Sequence, residues 1–162
     1  AIAEGLSNFA GLPHRFQDLG IMHETWVIDD AVSTTPEATL AALEALPSHR
    51  ATLVCGGQSK GADTSALAER IACGAEKVVV FGEAGPAFAT EVREAGGYVL
   101  AISDTLEKAV QAAWKDACPG GLLLFSPAFR SFDLFPNWQA RADAFLLELE
   151  RLRGQQQAQS GR

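Results

Sequence analysis

The strongest constraint on the fold is the alternation of short apolar runs with segments of helical spacing. Residues 51–55, 77–81, 98–101 and 122–125 are apolar runs of strand length. The second holds three valines and a phenylalanine, the continuous pattern of a strand buried on both faces. A predicted helix at 36–46 precedes the runs, others at 63–73, 87–95 and 105–117 lie between them, and a last one follows at 137–153. Thr35, or its neighbour Thr34, is placed to cap the first, with Pro36 at its first position and Glu37 in its first turn. Ser103 and Asp104 form an expected cap before 105–117, and Pro119, Gly120 and Gly121 break the chain after it. Strands alternating with helices of this length predict an α/β fold. It is a doubly wound, mostly parallel, Rossmann-like sheet with helices on both faces.

The ends of the chain read differently. Residues 1–10 carry apolar side chains at helical spacing and stop at Gly11 and Pro13. Stretches 15–19 and 25–29, separated by Gly20, have strand character and are expected to pair as one antiparallel edge hairpin. Residues 154–162 are polar and expected to be a disordered tail after a domain spanning 1–153. The chain opens at Ala1, without methionine and inside an apparent helix, so it reads as a piece of a longer protein.

Composition narrows the function classes. Thirteen Lys and Arg against twenty Asp and Glu give a net charge of −7, which disfavours generalised binding to nucleic acid or an anionic membrane surface. No apolar run approaches the ~20 residues of a membrane span. The three cysteines (Cys55, Cys73, Cys118) show no CxxC spacing and read as buried or half-buried thiols of a reducing cytoplasm. Neither they nor the scattered histidines suggest a metal site.

In doubly wound folds ligands gather at the carboxyl ends of the strands. Here those ends are Asp29-Asp30, Gly56-Gly57, Gly82 and Ser126-Pro127. The loop 56-GGQSKGAD-63 sets glycines beside Lys60, so backbone and a mobile cation can both approach a ligand. It lacks the GxxxxGK[ST] spacing of a phosphate loop, and a tight turn with a solvated lysine has the same sequence. In 30-DAVSTTPEAT-39, one of Ser33, Thr34 and Thr35 caps a helix and the others are free for a ligand. In 126-SPAFRSFDLFPNW-138, the aromatics Phe129, Phe132, Phe135 and Trp138 suit a plug on the sheet edge. Arg130 and Ser131 in the same loop suit a carboxylate or phosphate. His14-Arg15 is either a solvated turn or an anion-binding pair. Paired catalytic carboxylates are not evident, and no GxSxG is present.

Taken in order, GLPHRF at 11–16, the 29–39 segment, GGQSKGAD at 56–63 and LLLFSPAFRSFDLFPNWQAR at 122–141 resemble the C-terminal domain of the Mur ligases, most closely the MurD branch. That branch adds glutamate to UDP-N-acetylmuramoyl-L-alanine in peptidoglycan precursor synthesis. The resemblance implies that His14, Arg15 and Asp30 serve the nucleotide, Asp30 at the ribose. It implies that Ser33, Thr34, Lys60, Arg130, Ser131 and Trp138 surround the incoming glutamate. It further implies ATP and Mg2+ as cofactors, bound mainly by a central ATPase domain that would lie upstream together with a UDP-binding domain. In the family's reaction ATP phosphorylates the precursor carboxylate, the amine of the amino acid attacks the acyl phosphate, and the tetrahedral adduct collapses to amide and phosphate. This domain would deliver the amino acid and close over the nucleotide, and the isolated chain is expected to be inactive. Phosphate release by the chain alone would contradict that.

Three departures from the MurD pattern fall on the amino-acid side. A lysine frequent in the first loop is Val32 here, small residues of the last loop are Phe129 and Arg130, and a phenylalanine is Trp138. Moving a cation from one loop to another changes which enantiomer satisfies three fixed contacts, so the pattern leans to L-glutamate. The alternatives are an ordinary D-glutamate ligase, a non-catalytic small-molecule-binding module of the same fold, and a folylpolyglutamate-synthase-type ligase, against which the SFDxF loop argues.

Overall fold

The computed structural model describes residues 12–46, 51–74 and 76–160. The helix expected at 1–10 lies outside them. The strands are β1 (Gln17–Met22), β2 (Thr25–Asp29), β3 (Ala51–Gly56), β4 (Lys77–Phe81), β5 (Tyr98–Ser103) and β6 (Leu122–Ala128). The helices are α1 (Pro36–Ala45), α2 (Ser65–Gly74), α3 (Gly85–Glu94), α4 (Leu106–Ala117) and α5 (Trp138–Ser160). They build one six-stranded sheet of order β1-β2-β6-β3-β4-β5. Only the β1–β2 pair is antiparallel; the other four pairings are parallel.

The continuous apolar runs are explained by two cores, one on each face, because successive residues of a strand point to opposite sides. Leu53, Cys55, Val78, Val80 and Leu124 pack under α1, α2 and α3. Their neighbours Val54, Val79, Phe81, Leu123 and Phe125 pack under α4 and α5. The chain steps outward from β3 to β4 to β5, then returns through α4 to insert β6 between β2 and β3. With right-handed crossovers, that reversal carries α4 to the second face.

Local details correct several expectations. Strand β1 starts two residues later than predicted and runs through Gly20, which sits at a bulge (φ 82) between Asp18 and Ile21. The hairpin turn is His23-Glu24, both left-handed at φ 48 and 64, as a tight two-residue turn requires. Thr35 caps α1 by accepting from the Ala38 amide at 3.4 Å. For α4 the cap is Thr105, not Ser103 or Asp104, because β5 continues to Ser103 and Thr105 accepts from the Lys108 amide. The tail expected to fray is helical as far as Ser160, since Arg, Gln and Ala are good helix formers. Cys73 is exposed on the solvent side of α2, whereas Cys55 is fully buried and its thiol pKa is pushed up by burial. Among the described residues no helix is long and apolar enough to cross a membrane.

Candidate functional site

The reversal of winding beside β3 and β6 leaves a crevice at the carboxyl ends of these strands, where helices depart to opposite faces. Three loops surround a cleft of about 210 Å³ there. The loop after β2 contributes Thr34 and Thr35, the loop after β3 contributes Gln58 and Lys60, and the loop after β6 contributes Phe129 and Arg130. Lys60 and Arg130 are both exposed. Lys60 and Ala128 both sit in left-handed backbone, at φ 45 and 65, a conformation that costs of order 1 kcal/mol or more for a non-glycine residue.

The walls are tied to one another through backbone. The Gln58 amide donates to the Arg130 carbonyl at 2.8 Å, an isolated antiparallel bridge. The Ala128 amide donates to the Ser33 carbonyl at 2.9 Å. Gly57 permits the first contact: a Cβ on it would lie 2.1 Å from the Arg130 carbonyl oxygen. Thr34, Lys60 and Arg130, far apart in sequence, therefore meet at one rim.

The remaining expected residues are placed differently. Ser33 is buried behind the cleft, where its carbonyl holds β6. Ser131 follows Arg130 but is only 2% exposed, and its carbonyl accepts from the Leu134 and Phe135 amides to close a turn. Trp138 does not line the cleft; it starts α5 and meets the His14 ring edge-on at 5.8 Å. Of the aromatics expected to plug the edge, Phe129 is buried, while Phe132 is 60% exposed.

The segment around Arg15 forms a second cluster. His14 Nδ1 lies 2.8 Å from Asp29 Oδ2, the His14 amide donates to Gln17 Oε1, and the His14 carbonyl accepts from the Val32 amide. His14 and Phe16 flank Arg15 with left-handed backbone, at φ 60 and 45. The exposed Arg15 guanidinium makes no ion pair with the described residues. Burial pushes the Asp29 carboxyl above the usual range, opposed by the His14 ring and the Ala31 amide. Asp30 is not open to a ligand in this structure: it is 3% exposed and both oxygens are taken. Oδ1 accepts from the Phe16 amide at 3.0 Å and Oδ2 from the Ser126 hydroxyl at 2.7 Å. Ser126 in turn pairs with Thr39 at 2.8 Å, so the carboxylate links the Arg15 loop to β6 and α1.

One residue escaped the sequence reading. Arg141, in the first turn of α5, is completely buried. Its Nη1 donates to the carbonyls of Phe129, at 2.8 Å, and Gly56, at 3.3 Å. Burial lowers its pKa to about 10, with Asp133 acting in the opposite direction, so it stays cationic at neutral pH. The signal was present: Trp138, Arg141, Ala142, Phe145 and Leu149 share helical spacing, and an arginine on that apolar stripe is anomalous. No group of three or more His, Cys, Asp or Glu side chains able to hold a metal occurs among the described residues.

The Mur ligase, glutamate ligase domain family matches residues 14–129. The chain belongs to the Mur ligase family. Among its relatives, a UDP-N-acetylmuramoylalanine--D-glutamate ligase of Ralstonia nicotianae is 39% identical over 145 residues, 90% of this chain and 29% of that protein. The like-named enzyme of Thiobacillus denitrificans is 35% identical over 155 residues, 96% of this chain and 32% of that one. The chain thus spans about a third of the length of these curated relatives. Among solved structures, the MurF ligase of Thermotoga maritima in complex with ADP superposes with a TM-score of 0.59 at 20% identity, covering 93% of this chain and 34% of that one. E. coli FolC in complex with ADP gives 0.57 at 21%, covering 88% and 33%. The mixed sheet with its single antiparallel pair is therefore the sheet of a Mur ligase C-terminal domain.

Proposed function

We propose that this Mur ligase domain receives glutamate for an ATP-dependent ligase that joins it to UDP-N-acetylmuramoyl-L-alanine. The observation that carries the reading is the cleft in which Lys60 and Arg130, two exposed cations on separate loops, stand beside the Thr34 hydroxyl. Glutamate brings two carboxylates, and each is best held by a cation or several donors. Fixing the amino acid at two points orients its amine, and orientation alone can lower a barrier by several kcal/mol.

ATP, when bound, supplies the phosphoryl group that activates the precursor carboxylate. The exposed Arg15, on a loop pinned from both sides, is the group of this chain suited to nucleotide phosphate. His14 and Asp30 act here by holding that loop, with Trp138 packed against the His14 ring. The chain lacks a phosphate loop, so ATP and its Mg2+ would be held mainly by the central domain of a longer enzyme.

Val32 in the first loop and Arg130 in the last put the second cation, beside Lys60, on the β6 side of the cleft, which favours L-glutamate. The relatives are named as D-glutamate ligases, which favours D-glutamate. Calorimetric titration of the chain with each enantiomer separates these readings. Arg130→Ala and Lys60→Ala are each expected to weaken binding roughly 10- to 100-fold, the worth of one charge-assisted contact. Binding of neither enantiomer, or unchanged affinity in both variants, would return these cations to the solvated surface.

A further inference from the structure

We propose that Arg141 is the positioning residue of the cleft: a buried cation that clamps the Lys60 loop to the Arg130 loop and so sets the distance between the two carboxylate-binding side chains. As a role in glutamate binding this rests on the reading above. The clamp itself rests on geometry.

Arg141 projects from α5, on the face of the sheet opposite α1 and α2. Its Nη1 reaches the carbonyl of Gly56, where β3 ends, and that of Phe129, which follows β6. These two carbonyls begin the two loops that carry Lys60 and Arg130. One guanidinium nitrogen thus joins both walls from beneath, while the Gln58–Arg130 backbone bond joins them above. The fit is close, since a Cβ on Gly57 would lie 3.0 Å from Nη1.

The rest of the guanidinium argues against a group placed there for stability alone. Arg141 Nε and Nη2 are buried without a hydrogen-bond partner among the described residues, as are Asp133 Oδ1 and Gln58 Oε1 nearby. Burying a cation and leaving donors unpaired costs folding free energy, and an apolar residue of similar volume would avoid that cost. Asp133 acts on Arg141 through its charge without hydrogen-bonding it; its Oδ2 accepts from the Glu83 amide. A charge kept at such a position is explained by what it fixes, since a charged donor bonds carbonyls more strongly than a neutral one. Sites that break the rules of a well-packed core are where functional geometry is held.

The test compares Arg141→Met and Arg141→Lys with the wild-type chain by amide hydrogen exchange and by glutamate titration. The clamp predicts that exchange of the Gln58 amide accelerates at least tenfold in the methionine variant. The amides of Val79 and Leu124 in the sheet interior should change far less. The lysine variant, which retains a charge but not the planar fork, should fall between. If the methionine variant does not fold, the lysine variant carries the test. Glutamate affinity should fall in the same order as Gln58 protection. Unchanged Gln58 protection, or acceleration of all three amides by one common factor, would overturn the clamp. If the wild-type chain binds no glutamate while Gln58 still responds selectively, the proposed function fails and the clamp stands.

Discussion

Alanine at position 57 is expected to force the two walls of the cleft apart. Gly57 sits at φ 134, and a Cβ there would lie 2.1 Å from the Arg130 carbonyl oxygen and 3.0 Å from Arg141 Nη1. The first contact is with backbone, so it cannot be relieved by rotating a side chain. The chain must shift, and the Gln58–Arg130 bond is the first to break. Backbone strain of ~1–3 kcal/mol and the loss of about 1 kcal/mol of hydrogen bonding give a destabilisation of about 3 kcal/mol. For a domain of this size that lowers Tm by roughly 6–12 °C. Glutamate affinity should fall more than tenfold, because Lys60 and Arg130 no longer share one spacing. Gly61→Ala is the control: at φ +75 with nothing within 4 Å, it carries strain but no collision. Scanning calorimetry and titration of both variants check this. Equal behaviour of the two would show that the close approach at Gly57 has no consequence.

The second large effect is expected at Asp30. Truncation to alanine removes the acceptor of the Phe16 amide and of the Ser126 hydroxyl together. Each buried donor left unpaired costs ~1–3 kcal/mol, so Asp30→Ala should destabilise by about 3 kcal/mol. Asp30→Asn should be milder, by about 1 kcal/mol, because its amide oxygen still accepts from Phe16 and the Ser126 hydroxyl can turn to accept. Exchange of the Phe16 amide reports the Arg15 loop directly. Protection is expected to survive in the asparagine variant and to be lost in the alanine variant. If alanine leaves Phe16 protected, the carboxylate does not hold that loop.

These two positions illustrate what could be read in advance. The glycines of 56-GGQSKGAD-63 mark a close backbone approach, but the partner that approaches, Arg130, comes from the loop after β6, far along the chain. Asp30 stood at a strand end, the position of a ligand-facing carboxylate, yet the 12–16 segment folds over it and β6 brings Ser126 beneath it. The family resemblance implies Ser131 and Trp138 as glutamate contacts, and here the loop turns Ser131 inward and sends Trp138 to His14. Arg141 lies inside the 122–141 segment on an apolar helical stripe, a legible anomaly, but the carbonyls it bonds belong to Gly56 and Phe129 and only the packing of α5 against the sheet brings them within reach.

The amino-acid order by itself determined the layered sheet, the parallel central strands and the antiparallel edge. These follow from local periodicities and turn residues that act within a few positions of one another. It also placed the candidate loops on one side of the sheet, since parallel strands carry their carboxyl ends together, whereas the insertion of β6 between β2 and β3 decided which of them are neighbours. Only the tertiary structure decided which polar side chains stay open and which are consumed. Lys60, Arg130 and Arg15 remain exposed, while Asp30, Ser131 and Arg141 are enclosed. The physical reason is that burial and hydrogen-bond partnership are properties of neighbours delivered by distant elements, and no local pattern carries them.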